Sequence, residues 1–85
     1  MTMPTVAVVD GVKIQFYYDE HPPPHFHAVF AECVAQIQID PTQPLRGSLP
    51  LAKLAVVLAW ASKNRAGLMN AWAAVAAGQK PTRLQ

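Results

Sequence analysis

The sequence predicts an α+β fold: a four-stranded, mostly antiparallel sheet made of two hairpins, with one long or kinked C-terminal helix packed on one face. Apolar and polar residues alternate with a period of two in the first half, and apolar residues recur every three or four positions in the second. Asp10-Gly11 supplies a tight turn between two such strands. The predicted elements are strands at about residues 4–9, 12–18, 26–31 and 33–39, a helix at about 50–77 and a tail at 78–85.

The segment VAVVDGVKIQFYY predicts the first hairpin. A type I′ turn needs positive φ at both central positions, and Asp10-Gly11 tolerates it. This turn sets the cross-strand pairs, which are Val9 with Val12, Ala7 with Ile14 and Thr5 with Phe16. That register leaves Val6 and Val8 on the face away from the helix.

The segments FHAVF and CVAQIQI predict a second hairpin around Ala31-Glu32, beyond three prolines that interrupt pairing. This turn is the weaker of the two, because neither residue favours positive φ. The alternation of apolar residues and glutamines nevertheless fixes one register. The predicted pairs are Phe30 with Cys33, Ala28 with Ala35, Phe26 with Ile37, His27 with Gln36, and His25 with Gln38.

Residues 41–50 predict a loop, and Ser48 near its end is placed to cap the helix that follows. Asn64 and Gly67 weaken the middle of the apolar repeat, so the sequence allows one continuous helix or two helices with a kink near 64–67. Gly78 is a natural helix end, and the tail beyond it is expected to fray.

The predicted sheet has two unlike faces. The helix covers one, formed by Val12, Ile14, Phe16, Phe26 and Ile37. The other is expected to be open and to present Lys13, Gln15, Tyr17, His25, His27, Gln36 and Gln38. Three valines are expected to be exposed on this open face and to favour association with another chain: Val6, Val8 and Val29. Three alanines outside the apolar stripe of the predicted helix favour it too: Ala55, Ala59 and Ala73.

Length and composition restrict the class of protein. The chain has 85 residues, 52% hydrophobic and 14% charged, which fits a single domain over residues 1–85 and favours a homo-oligomer or a protein partner. Cys33, the single cysteine, excludes an intrachain disulfide. The start lacks the features of a signal peptide, and no apolar run reaches the roughly 20 residues of a membrane span. We therefore expect a cytoplasmic protein without membrane association.

The charges are divided unevenly between the two halves of the chain. Residues 1–40 carry all five acids and one cation, Lys13, whereas residues 41–85 carry six cations and no acid. A basic C-terminal half could bind nucleic acid or an acidic partner. A solvated helix face gives the same pattern and is the more common outcome.

The segment EHPPPHFH, residues 20–27, contains all three histidines. His25 and His27 lie two residues apart on a strand, about 7 Å along the chain, which suits a ligand pair for zinc or another borderline cation. His21, Glu20 or Asp19 would have to fold back to complete such a site. No other cofactor is expected. The simpler interpretation is that His25 and His27 form hydrogen bonds with Gln38 and Gln36.

The same face also suits acid–base catalysis. Candidate catalytic residues are His25 and His27 as general acid or base, Lys13 or Arg46 to stabilise phosphate charge, and Tyr17 to stack on a base. Small metal-independent ribonucleases use such a set, although a solvated sheet face is the commoner outcome for Lys13 and Tyr17. Cys33 falls among core residues and is no nucleophile. Trp60 and Trp72 are expected to anchor the core or an interface.

The pattern MPT…G…FYY..EHPPPHFH…A.I.I…G.LP…W…..L…W resembles the bacterial and archaeal domain-of-unknown-function family 4160 from Met3 to about Trp72. Its EH-x-PPH-x-H core corresponds to Glu20, His21, Pro23, Pro24, His25 and His27. The resemblance implies a small bacterial interaction module, one member of a toxin–antitoxin-like pair, and carries over no catalytic role. The alternative is a small nuclease or metal-dependent hydrolase using the histidine face.

Overall fold

The structure is a computed structural model that describes residues 3–84. It is α+β, as predicted, and its sheet is antiparallel with the strand order β1-β2-β3-β4-β5. The elements are β1 (Thr5–Val9), β2 (Val12–Gln15), β3 (His25–Phe30), β4 (Cys33–Gln38), β5 (Gln43–Gly47), α1 (Leu51–Lys63) and α2 (Arg65–Ala76).

The first hairpin turns where predicted, with φ of 50° at Asp10 and 81° at Gly11. The pairs of Val9 with Val12 and Ala7 with Ile14 are confirmed, but the pair of Thr5 with Phe16 is wrong. Thr5 lies opposite Gln15 instead, because the register shifts between Thr5 and Ala7. Such a bulge re-aims the side chains beside it. Val6, predicted to be exposed, is accordingly fully buried.

The second hairpin has the predicted register in all five pairs, from Phe30 with Cys33 to His25 with Gln38. Ala31 adopts the positive φ, 51°, that its side chain does not favour. β2 ends at Gln15 rather than at residue 18. β3 begins at His25, one residue earlier than predicted, and its pairing with β2 runs as far as His27, opposite Gln15.

The expectation of four strands is wrong, because part of the predicted loop forms β5. This strand pairs with β4 at the edge of the sheet, where a proline such as Pro44 is tolerated. Gly47 lets β5 approach closely: its φ is 76°, and a Cβ there would collide with the carbonyl of Val34. Sequence periodicity could not detect this strand, since all five of its residues are exposed.

The helical region is broken into two helices at Asn64, one of the two arrangements that the sequence allows. Asn64 has φ of −118°, and its side chain donates to the carbonyl of Trp60 at 2.8 Å. Ser48 is not the helix cap. Pro50 occupies that position, and its carbonyl accepts from the N–H of Leu54 at 2.9 Å. Neither helix within residues 3–84 is long and apolar enough to cross a membrane.

The core joins the apolar side of the sheet to both helices. Lys53 of α1 ties the helix to the turn end of the sheet, with Nζ 3.2 Å from the Asp10 carboxylate and 4.9 Å from the centre of the Phe30 ring. The buried apolar residues are Val6, Ala7, Val9, Val12, Ile14, Phe16, Phe26, Ala28, Ala35, Ile37, Ile39, Leu49, Val57, Ala61, Leu68, Ala71 and Val75.

The tail beyond α2 is ordered against the sheet, so the prediction that it frays is wrong for residues 79–84; residue 85 lies outside the described residues. The N–H of Leu84 donates to the carbonyl of Val6 at 2.7 Å, and Pro81 is buried. Leu84 fits against Gly67, where an added Cβ would lie 2.8 Å from a Leu84 methyl group. Gly67 therefore makes room for the tail at some cost in helix propensity.

We predict that Gly67→Ala and Leu84→Ala are energetically coupled. Leu84→Ala alone should lower the free energy of unfolding by about 1–2 kcal/mol, since the leucine is only partly buried. In that background Gly67→Ala should stabilise α2 by up to about 1 kcal/mol, whereas in the wild type the clash with Leu84 offsets the gain. Urea unfolding of the four proteins measures the coupling.

Ser62→Ala on the exposed side of α1 is the matched control, and its effect should simply add to that of Leu84→Ala. If Gly67→Ala is equally additive with Leu84→Ala, the tail does not rest on Gly67.

Candidate metal centre

The loop between β2 and β3 folds Glu20 back onto the central strand of the sheet. His25 and His27 lie on β3 opposite Gln38 and Gln36, so both side chains leave the same face of the sheet. The expectation of an open histidine face is wrong, however, because each histidine is only 5% exposed. The residues around them explain this burial.

Two aromatic rings shield the histidines. The ring of Tyr17 stacks on His27 with centroids 3.9 Å apart and planes 17° from parallel. The ring of Trp72, from α2, lies 5.3 Å from His25. The two imidazoles are themselves 5.5 Å apart. The rings are therefore held in fixed positions inside the protein rather than displayed on its surface.

The carboxylate of Glu20 reaches both histidines. Its Oε1 accepts a hydrogen bond from Nε2 of His27 at 2.7 Å, and its Oε2 lies 3.7 Å from Nε2 of His25. The three ligand atoms lie within 4.8 Å of one another. Ligands about 2 Å from a tetrahedral zinc ion are roughly 3.3 Å apart, so small side-chain shifts would form such a site.

His25 is oriented by the proline loop. Its Nδ1 lies 2.8 Å from the carbonyl oxygen of Pro23, and because a carbonyl can only accept, Nδ1 carries the hydrogen. In the neutral ring, Nε2 then carries a lone pair, directed toward Glu20. This buried nitrogen has no hydrogen-bond partner within the described structure. A backbone carbonyl on one nitrogen and a free lone pair on the other is the arrangement of a metal-binding histidine.

The hydrogen bonds of both histidines differ from the simpler expectation. Neither imidazole bonds the glutamine opposite it. Gln38 instead donates to the carbonyl of Asp40 and accepts from Gln43, each at 3.3 Å. The Glu20 carboxylate bonds Nε2 of His27 and the Pro23 carbonyl bonds Nδ1 of His25 in their place.

Beside the Glu20–His25 contact lies a cleft of about 390 Å³. Glu20 and His25 both line it, so the cleft adjoins two of the three candidate ligands. Arg46 of β5 and Gln36 of β4 form one wall, and the proline loop forms the other. The lining residues are Glu20, His21, Pro22, Pro23, His25, Gln36, Leu45 and Arg46.

Of the residues predicted for a metal site, the structure brings Glu20, His25 and His27 together. His21 is exposed and lines the cleft without joining them, and Asp19 is exposed in the same loop. Of the candidate catalytic residues, Tyr17 stacks on His27. Lys13 is exposed and pairs with Val8 and Val29, toward the turn end of the sheet.

Two residues near the site were not predicted for it. Trp72 was expected to anchor the core, and a helical period cannot show that its ring also reaches a histidine. Leu45 was placed in a loop, so nothing in the sequence pattern connected it with the cleft. Arg46, expected only as a general phosphate contact, stands on the cleft wall because β5 pairs with β4.

The comparison with known families gives one result. Residues 11–73, which include β2 through β5, α1 and most of α2, match the model of a family described as "Domain of unknown function (DUF4160)". No curated protein and no solved structure is significantly similar to the chain. The match covers well over half of the chain and contains Glu20, His25 and His27. The family resemblance noted in the sequence is thus confirmed: the chain belongs to the DUF4160 family of domains of unknown function.

Proposed function

We propose that this protein is a divalent-metal-binding domain that holds a zinc-class ion through Glu20, His25 and His27. The observation that carries the proposal is Nε2 of His25, a buried nitrogen without a hydrogen-bond partner among the described residues. Leaving such a group unsatisfied costs about 1–3 kcal/mol. A metal ion between His25 and Glu20 would satisfy the nitrogen and neutralise the carboxylate.

The ligand set suggests what the ion would do. Two imidazoles and one carboxylate are a set used by catalytic zinc sites, in which a fourth position is left for water or substrate. The adjoining cleft provides room for that position. A metal held there would lower the pKa of a bound water and polarise an ester oxygen. We therefore favour a metal-dependent hydrolase over a metal-independent nuclease, since both imidazoles are buried.

A second candidate function is protein–protein interaction, with another copy of the chain or with a partner such as the other member of a toxin–antitoxin-like pair. One observation favours it. Val8, Lys13, Val29 and Val34 form a row across four strands, and Val8 and Val34 are 46% and 45% exposed. Apolar side chains on an accessible sheet face favour burial against another surface.

Metal binding predicts that His25→Gln and Glu20→Gln lower zinc affinity by at least about 100-fold, because each removes a ligand from a three-residue site. Isothermal titration of metal-free protein with zinc should give one equivalent for the wild type. Affinity should also fall as the pH is lowered, because protons compete with the metal ion for the imidazole nitrogens and the carboxylate.

His21→Gln is the matched control, because His21 lies in the same loop and cleft but outside the three ligands. It should bind zinc as the wild type does. Circular dichroism of each variant shows whether the fold is kept. The proposal fails if a folded His25→Gln variant still binds zinc with wild-type affinity.

The hydrogen bonds predict opposite tautomers for the two buried histidines in metal-free protein at mildly alkaline pH. His25 should carry its hydrogen on Nδ1, facing Pro23, and His27 on Nε2, facing Glu20. Two-bond ¹H–¹⁵N correlation spectra distinguish the tautomers, with exposed His21 as an internal reference. A doubly protonated His25 under these conditions would mean that a proton, not a lone pair, faces the carboxylate.

The interaction candidate predicts that association depends on the valine row. Val34→Lys should weaken self-association or partner binding about tenfold or more, because a lysine would have to be desolvated in the interface. Light scattering over a concentration series measures self-association, and co-purification measures partner binding. Leu51→Lys, at an 84% exposed leucine of α1, should have no effect. A wild-type chain that stays monomeric and partnerless would refute this candidate.

A further inference from the structure

We infer that the cleft beside the three metal ligands recognises a phosphate group, held between the metal ion and the guanidinium of Arg46. The inference rests on the proposed metal site and adds its substrate class.

The sheet aligns Arg46 with the histidines. The register places four residues side by side on neighbouring strands: Gln15 on β2 pairs with His27 on β3, His27 with Gln36 on β4, and Gln36 with Arg46 on β5. Residues directly opposite share a face of the sheet, and neighbouring strands are about 4.8 Å apart. The Cα of Arg46 is therefore about 10 Å from that of His27, a gap that the long arginine side chain and a bound anion together can bridge.

A β-bulge turns this part of β5 toward the cleft. Gln36 pairs with Arg46 and Ile37 with Pro44, so Leu45 is an extra residue between two consecutive pairs. Both Leu45 and Arg46 consequently line the cleft, although they are adjacent in sequence. Bulges of this kind commonly re-aim a side chain next to a functional site.

The cleft has the charge to attract an anion. The ion pairs among residues 3–84 join Glu20 to His25 and His27, and Lys53 to Asp10, so Arg46 has no carboxylate partner there. Glu20 is the only acid in the cleft lining. Once Glu20 ligates a divalent cation, the cation and Arg46 leave the cleft with a net positive charge.

The number of groups favours phosphate over carboxylate. Besides the metal and the arginine fork, Gln36 and His21 line the cleft and carry an amide and an imidazole. Four such groups match the several oxygens of a phosphate better than the two of a carboxylate. Leu45 and Pro22 add apolar surface for the organic part of a phosphate ester, and the volume lies within the usual range for small ligands.

The test uses protein loaded with cobalt(II), whose visible absorption reports changes in coordination. Wild-type protein should respond to inorganic phosphate and phenyl phosphate, and Arg46→Gln should weaken both responses about tenfold or more, because a charge-assisted contact is lost. Cobalt affinity itself should be unchanged, since Arg46 is not a ligand. Arg46→Lys should recover part of the binding, as it keeps the charge but loses the fork.

Lys63→Gln is the matched control: it removes an exposed cation of α1, outside the cleft, and should leave phosphate binding unchanged. Equal losses in Arg46→Gln and Lys63→Gln would overturn the inference by showing a non-specific charge effect. Acetate binding as tightly as phosphate would overturn the phosphate assignment. Wild type that binds cobalt but no phosphate refutes the inference alone, whereas wild type that binds no metal refutes the proposed function and the inference with it.

Discussion

The hydrogen bond from His27 to Glu20, 2.7 Å long, joins the two parts of the chain on which the candidate site depends: the loop after β2 and the central strand β3. The prolines at 22–24 fix φ in that loop, so few conformations are lost when it closes over the sheet. Closure places the Pro23 carbonyl against His25 and the loop wall beside the cleft. The tautomer of His27 follows from this contact, and the closed loop supplies the carbonyl that sets the tautomer of His25 and one side of the cleft.

The Glu20 carboxylate forms a hydrogen bond with His27 but not with His25. His27 has a short hydrogen bond and a stacked ring, whereas His25 has a satisfied Nδ1 and an unsatisfied Nε2. A buried polar network normally satisfies every polar atom. The unpaired Nε2 of His25 is therefore the atom on which the proposed metal site depends. The valine row lies on the same face of the sheet, with Val29 two residues from His27 along β3, so a chain docked on that row would lie beside the candidate site.

Sequence patterns specified most of the sheet, and the failures have local causes. Alternation fixed every pair of the β3–β4 hairpin, and Asp10-Gly11 fixed the turn of the β1–β2 hairpin. The bulge at Thr5–Ala7 and the exposed strand β5 leave no periodic signal, so Val6 was misplaced and Leu45 was missed. For the site, spacing brought out His25, His27 and Glu20, but not their burial. That burial depends on Tyr17 and Trp72 packing over the rings, a tertiary contact that no local pattern encodes.

The ordered tail has a consequence for how this sheet could assemble. The carbonyls of Thr5 and Val6 accept from Arg83 and Leu84, so the outer side of β1 is already occupied where the tail crosses it. β5, at the opposite edge, is exposed throughout. A sheet with two open edges can add copies without end, as a growing ribbon does, whereas one with a single open edge can only join edge to edge across a two-fold axis. Where it crosses Thr5 and Val6, the tail would hinder strand pairing at the β1 edge, and pairing through β5 would join two chains.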